Sequence, residues 1–176
     1  MGRLILTSKK GYTNEDAVGN VINYLYRAAT KEDPTEKILC FGGLGVSQEP
    51  DSMVAQITYV QMACRSPSTI GTRTFHEIFT FTPEEAELFR NRYDLLSRFT
   101  MESAYVYYSM GHQIAYAVHY GKVFGLHIHF AGNAVSFYDG SKWYNNEMKL
   151  KLMEREQYMN QILEHYMAES GKEIIL

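Results

Sequence analysis

Cysteine, proline and tryptophan are scarce in this chain, with two, four and one among 176 residues. The two cysteines, Cys40 and Cys64, stand far apart with no CxxC spacing, which excludes a disulfide framework or a thiolate metal site; both read as reduced, buried side chains. So few prolines, with thirteen scattered glycines and no biased tract, exclude a collagen-like or linker-dominated chain. No apolar run approaches the ~18 residues a membrane span needs, so no membrane partner is expected. The N-terminal MGRLILTSKKGYTN has a short apolar run ahead of its lysines, the wrong order and length for a secretory signal, and a cytoplasmic location is the expectation. An excess of one charge is also missing. Seventeen Lys and Arg against twenty Asp and Glu leave a net charge of -3, which argues against indiscriminate binding to polyanions. With 45% hydrophobic residues, residues 1–176 read as one folded domain. Tyrosine is the abundant aromatic, fourteen against nine phenylalanines, and a phenol offers a stacking face, a hydrogen bond and a nucleophile together.

Periodicity predicts a strand at Arg3–Thr7, then a helix capped by Thr13 or Asn14. Its stripe is Ala17, Val18, Val21, Ile22, Leu25 and Ala28, with Tyr24 and Tyr26 near its end. A strand at Ile38–Val46, bent or bulged near its glycines, leads to a helix over 51–64 and a loop over 65–72. In TFHEIFTFT the alternation sets Phe75, Phe79 and Phe81 on one face and His76, Ile78 and Thr80 on the other. Thr82, Pro83 and Glu84–Glu85 start a helix with the stripe Ala86, Phe89, Tyr93 and Leu96, ending at Gly111 at the latest. Two strands, 112–120 and 126–137, follow around GKVFG, and a helix over 146–168 closes the chain. The expected fold is α/β of the α+β type, with a central antiparallel sheet and a helix on one face of its last hairpin.

The chemistry gathers on that hairpin. His127 and His129, one residue apart on a strand, point to one face. If the hairpin is symmetric about Val123, His119 lies directly opposite His127, with β-carbons ~5 Å apart. Three imidazoles converging this way suit a divalent ion with open coordination positions, as a Lewis acid requires. Ala115, Ala117, Ala131 and Asn133 share the face and are expected to form a floor open to substrate. His76 joins the catalytic candidates, as a fourth ligand, a substrate contact or a solvated strand residue. His112 and His165 read as solvated surface imidazoles, and Glu77 falls on the phenylalanine face.

TFHEIFTFTPEEA and IAYAVHYGKVFGLHIHFAGNAVSFYDGSKWY, with His119, His127, His129 and Asn133, resemble the relaxase or mobilisation-nuclease domains of the HUH endonuclease superfamily. The resemblance covers most of the chain. It implies a histidine triad holding magnesium or manganese against a phosphate of single-stranded DNA at a plasmid or mobile-element transfer origin. It also implies an attacking tyrosine near the N-terminus that forms a 5′-phosphotyrosyl intermediate, with accessory mobilisation proteins as further partners. Tyr24 in NVINYLYRAATK matches that tyrosine and Tyr26 is the alternative; two residues apart on a helix, the two phenols point roughly 200° from each other. Arg27, Lys9 and Lys10 are candidate phosphate contacts, and Asn133 a candidate substrate contact. Many relaxases carry an aspartate two residues after the first triad histidine; here that position is Gly121.

Two other readings compete. A rolling-circle replication initiator of the same superfamily usually has its tyrosine after the histidines, where Tyr144 and Tyr158 stand. A non-cutting DNA-binding accessory module would keep the fold and hold single-stranded DNA without a metal.

Overall fold

The structure is a computed structural model that describes residues 1–8, 11–27, 33–143 and 148–173. Its elements are β1 (Arg3–Leu6), α1 (Ala17–Leu25), β2 (Lys37–Leu44), α2 (Pro50–Cys64), α3 (Pro67–Ile70), β3 (Thr74–Thr80), α4 (Pro83–Leu88), α5 (Tyr93–Ser109), β4 (Ile114–Gly121), β5 (Gly125–Asn133) and α6 (Met148–Glu173). The five strands form one antiparallel sheet in the order β1-β3-β5-β4-β2.

The β4–β5 pairing centres on Val123, with Gly121 opposite Gly125 and His119 opposite His127, the register the sequence predicts. β3 lies on the other side of β5 and sets Ile78 opposite His129 and His76 opposite Ala131. Side chains alternate across the sheet, so one face carries His76, His119, His127, His129, Ala115, Ala117 and Ala131. The opposite face carries Phe75, Phe79, Tyr116, Val118, Ile128 and Phe130, packed with Phe99 and Tyr107 of α5 and Met159, Leu163 and Tyr166 of α6.

Helices cover both faces rather than one. The apolar stripe of α1, Val18, Val21, Ile22 and Leu25, packs with Met53 and Ile57 of α2 onto Ala115, Ala117 and Ala131. The expected open floor is therefore corrected. The small side chains let two helices approach the sheet closely, and the alanines lie in a second core rather than under substrate.

Some boundaries also move. α1 stops at Leu25, and its Asp16 cap position makes no side-chain cap bond. β2 has its irregularity between Ile38 and Cys40, ahead of the glycines. Residues 67–70 form a short helix inside the expected loop. The expected helix beginning at Pro83 is two helices, because Asn91 adopts φ 58°, a left-handed conformation that breaks the ladder. Its start follows the expected pattern: Thr82 and Glu85 complete a capping box with Pro83 in the first turn. β5 ends at Asn133, and Val135 forms only an isolated bridge with Lys142. Cys64 is exposed where burial was expected, whereas Cys40 is half-buried and burial pushes its thiol up to about 11. Among the described residues no helix is long and apolar enough to cross a membrane.

Candidate metal centre

Among the described residues, Glu36, His119, His127 and His129 each present one ligand atom such that all four atoms lie within 4.8 Å of one another. The three histidines come from the β4–β5 hairpin, and Glu36 from the turn just before β2. All four side chains are buried.

Each imidazole has its outer nitrogen engaged. His119 Nε2 donates to the Leu25 carbonyl at 2.8 Å, which turns Nδ1 inward as a buried atom with no hydrogen-bond partner. His127 Nδ1 donates to the Gly125 carbonyl at 3.2 Å, which leaves Nε2 3.3 Å from Glu36 Oε1. His129 Nδ1 lies 2.8 Å from His76 Nε2. Such outer bonds fix ring orientation and tautomer so that the inner lone pair faces the centre, the support that metal-binding imidazoles need. Burial holds His127 and His129 below the usual imidazole range and His76 down to about 4, with neighbouring histidines adding to the lowering in each case. These rings are neutral near pH 7, the form that donates to a metal. An inward lone pair without a partner, neutral imidazoles and a buried carboxylate together fit a divalent cation.

Tyr24 sits at the mouth of this cluster, 39% exposed. Its ring meets those of His76 and His129 edge-on, with centroids 5.6 and 5.5 Å away. Arg27 lies over the outer face of the phenol, its guanidinium carbon 5.4 Å from the ring centre. Tyr26 turns away as the helical angle requires: its hydroxyl donates to Met53 Sδ at 3.5 Å, its ring packs on Phe41, and burial pushes its phenol up to about 12. A cleft of about 450 Å³ runs beside Tyr24, lined by Thr7, Tyr12, Asn14, Asn20 and His76.

The remaining sequence candidates divide. His76 is buried between Tyr24 and His129, not solvated. Asn133 is fully enclosed: its carbonyl oxygen accepts from Gln61 Nε2 and Val135 N, and its amide donates to Gln113 Oε1, so it offers nothing to a substrate. Lys9, Lys10 and Tyr144 lie outside the described residues. Tyr158 belongs to α6, which packs on the sheet face opposite the histidines. His112 is buried rather than solvated, bonded to the Asn133 carbonyl at 2.8 Å, and His165 lies on the surface beside Glu169. Glu77 stays on the phenylalanine face, where Arg155 and the Tyr107 hydroxyl hold it.

Sequence reasoning missed Glu36. It stands 83 residues before His119 and reaches the cluster only because β2 pairs with β4, setting Ile38 opposite His119. The one local signal is an acid placed directly ahead of a short apolar strand.

Comparison with curated proteins and with solved structures returned no match. The family model described as relaxase, MobA/VirD2-like, nuclease domain, matches residues 24–171, a span that opens on Tyr24 and includes Glu36 and all three histidines. By that match across most of its length, the chain belongs to the MobA/VirD2-like relaxases, a family of nuclease domains that nick DNA for its mobilisation.

Proposed function

We propose that the protein nicks single-stranded DNA at the transfer origin of a plasmid or other mobile element, with Tyr24 as nucleophile and the His119, His127, His129 cluster as the site of a divalent ion, magnesium or manganese. The contact of the Tyr24 ring with both His76 and His129 carries this reading, because it brings the phenol to the edge of the cluster while Tyr26 faces away. In the reaction the Tyr24 oxygen bonds to phosphorus as the bond to the 3′-oxygen breaks. The phenol loses a proton, the leaving oxygen gains one, and a 5′-phosphotyrosyl ester replaces the DNA phosphodiester. One phosphodiester replaces another, so the step is reversible and supports rejoining.

The bound ion would neutralise charge on the phosphate oxygens as it develops. His76 holds the His129 ring through its 2.8 Å contact and flanks the nucleophile, acting as a positioning residue. Arg27 sets a positive charge over the phenol, where it attracts the scissile phosphate. Exposed nucleotides follow the cleft past Tyr12, Asn14 and Asn20, whose ring and amides suit bases and backbone. The domain acts as one unit over residues 1–176, with accessory mobilisation proteins bringing it to its origin.

Incubating the protein with a labelled single-stranded DNA pool tests this. A denaturant-resistant protein–DNA adduct is expected with manganese, and none with chelator. An adduct that is independent of metal, or tight binding with no adduct from metal-loaded protein, would overturn the reading in favour of a non-cutting module.

A further inference from the structure

We propose that Glu36 is a fourth ligand of this centre and that it makes the centre select ions by coordination number, closed around a four-coordinate ion and open to phosphate only around a six-coordinate one. The inference rests on the reading of the cluster as the ion site.

The carboxylate is held there by a built clasp. Asp33 is buried and accepts from Thr35 N at 3.0 Å, Thr35 Oγ1 at 2.5 Å and Val123 N at 2.8 Å, and Thr35 Oγ1 in turn accepts from Lys122 N at 2.9 Å. Glu36 N donates to the Asp33 carbonyl at 3.2 Å. The turn that carries Glu36 is thereby fastened to the tip of the hairpin that carries His119 and His127, so ligand and ligands move as one piece.

The electrostatics ask for a cation. Glu36 Oε1 lies 3.3 Å from His127 Nε2 and 3.6 Å from His119 Nδ1, and it is 6% exposed. A carboxylate withdrawn from water and facing imidazole nitrogens is costly to bury unless a partner satisfies its oxygens. A divalent ion between these four atoms is such a partner.

Three imidazole nitrogens and one carboxylate oxygen are a complete tetrahedral set. Around zinc, which takes four ligands in closed sites, they leave no vacancy. Manganese or magnesium prefers six, so two positions remain for water or phosphate oxygens. By intrinsic affinity zinc outcompetes manganese at such a donor set, so the tighter ion is the one that shuts the centre.

Cobalt(II), a visible-absorbing stand-in for zinc, reads this directly. Protein loaded with cobalt is titrated with excess azide, a small anion that binds any open position. The wild-type spectrum is expected to stay unchanged, while the Glu36→Ala spectrum shifts. Zinc affinity, from competition with a chromophoric chelator, is expected to fall in Glu36→Ala by at least the roughly 10- to 100-fold that loss of a group supporting a ligand costs. Glu36→Gln keeps the side-chain volume and serves if Glu36→Ala does not fold. A wild-type spectrum that shifts with azide as strongly as the variant's, or a zinc affinity that does not change, would overturn the proposal. Neither measurement uses DNA, so a protein that forms no adduct still decides it. A protein that forms a manganese-dependent adduct yet binds azide through cobalt sinks this inference alone.

Discussion

The carboxylate of Asp33 lies against the Cα of Gly121, in the volume that a side chain at position 121 would need. The resemblance to relaxases sets an aspartate at position 121 in many members, two residues after His119. Here acidic groups reach the same end of the hairpin from residues 33 and 36 instead. Gly121 is therefore a steric requirement of the clasp. A Gly121→Ala substitution forces the Asp33 carboxylate off Val123 N and is expected to cost about 1–3 kcal/mol, as overpacking does. Thermal unfolding checks this, and manganese titration calorimetry of the same variant should show weakened binding as Glu36 is displaced.

His76 gives a second prediction. Its contact with His129 Nδ1 orients that ring without joining the four inward-facing atoms. Replacing it by alanine is expected to lower manganese affinity about 10- to 100-fold, the usual cost of removing a group that supports a ligand. His76→Asn, which retains a polar side chain, should recover part of that loss. Unchanged affinity in His76→Ala would remove His76 from the site.

On the opposite face, Arg155 donates to both Glu77 oxygens, at 2.6 and 3.2 Å, and lies 4.4 Å from the Trp143 ring centre. Both charges are buried, so Arg155→Met strands a carboxylate in the core and is expected to cost about 3–5 kcal/mol in chemical denaturation. Glu77→Gln combined with Arg155→Met keeps an acceptor for the Tyr107 hydroxyl and should recover most of that stability. A single variant as stable as the wild type would contradict the account of this pair.

Acid should destabilise the metal-free protein. Burial lowers His76 to about 4, below the ordinary value of 6.5, and lowers His112, His127 and His129 as well. Between those limits the unfolded chain binds protons that the folded chain does not. Stability is then complete above pH 6.5 and is lost as pH falls towards 4, by about 3 kcal/mol for His76 alone. Melting temperatures measured from pH 7.5 to 4.5 should decline steadily; a flat profile would mean that these imidazoles are solvated.

The hairpin was legible in the sequence because its register depends on local symmetry, Gly121 and Gly125 bracketing Val123, and strand alternation alone puts His119, His127 and His129 on one face. Alternation also gave the face of His76, but its neighbours depended on β3 adding beside β5, a pairing across about fifty residues. Glu36 was hidden for the same reason, since nothing local tells which strand β2 joins. The alanines misled because a small residue fits an open substrate floor as well as a close helix contact, and only the docking of α1 and α2 decides between them. Asn133 misled similarly: a polar residue on the histidine face was read as exposed, whereas it closes a network with Gln61 and Gln113.

Mapping the linkage tests the central claim most directly. Adduct formed with manganese is digested with protease and nuclease, and the peptide bearing a residual nucleotide is sequenced by mass spectrometry. The account predicts a nucleotide on Tyr24, none on Tyr26, and no adduct from Tyr24→Phe. A nucleotide on Tyr26 or Tyr158, or an adduct that survives in Tyr24→Phe, would contradict it.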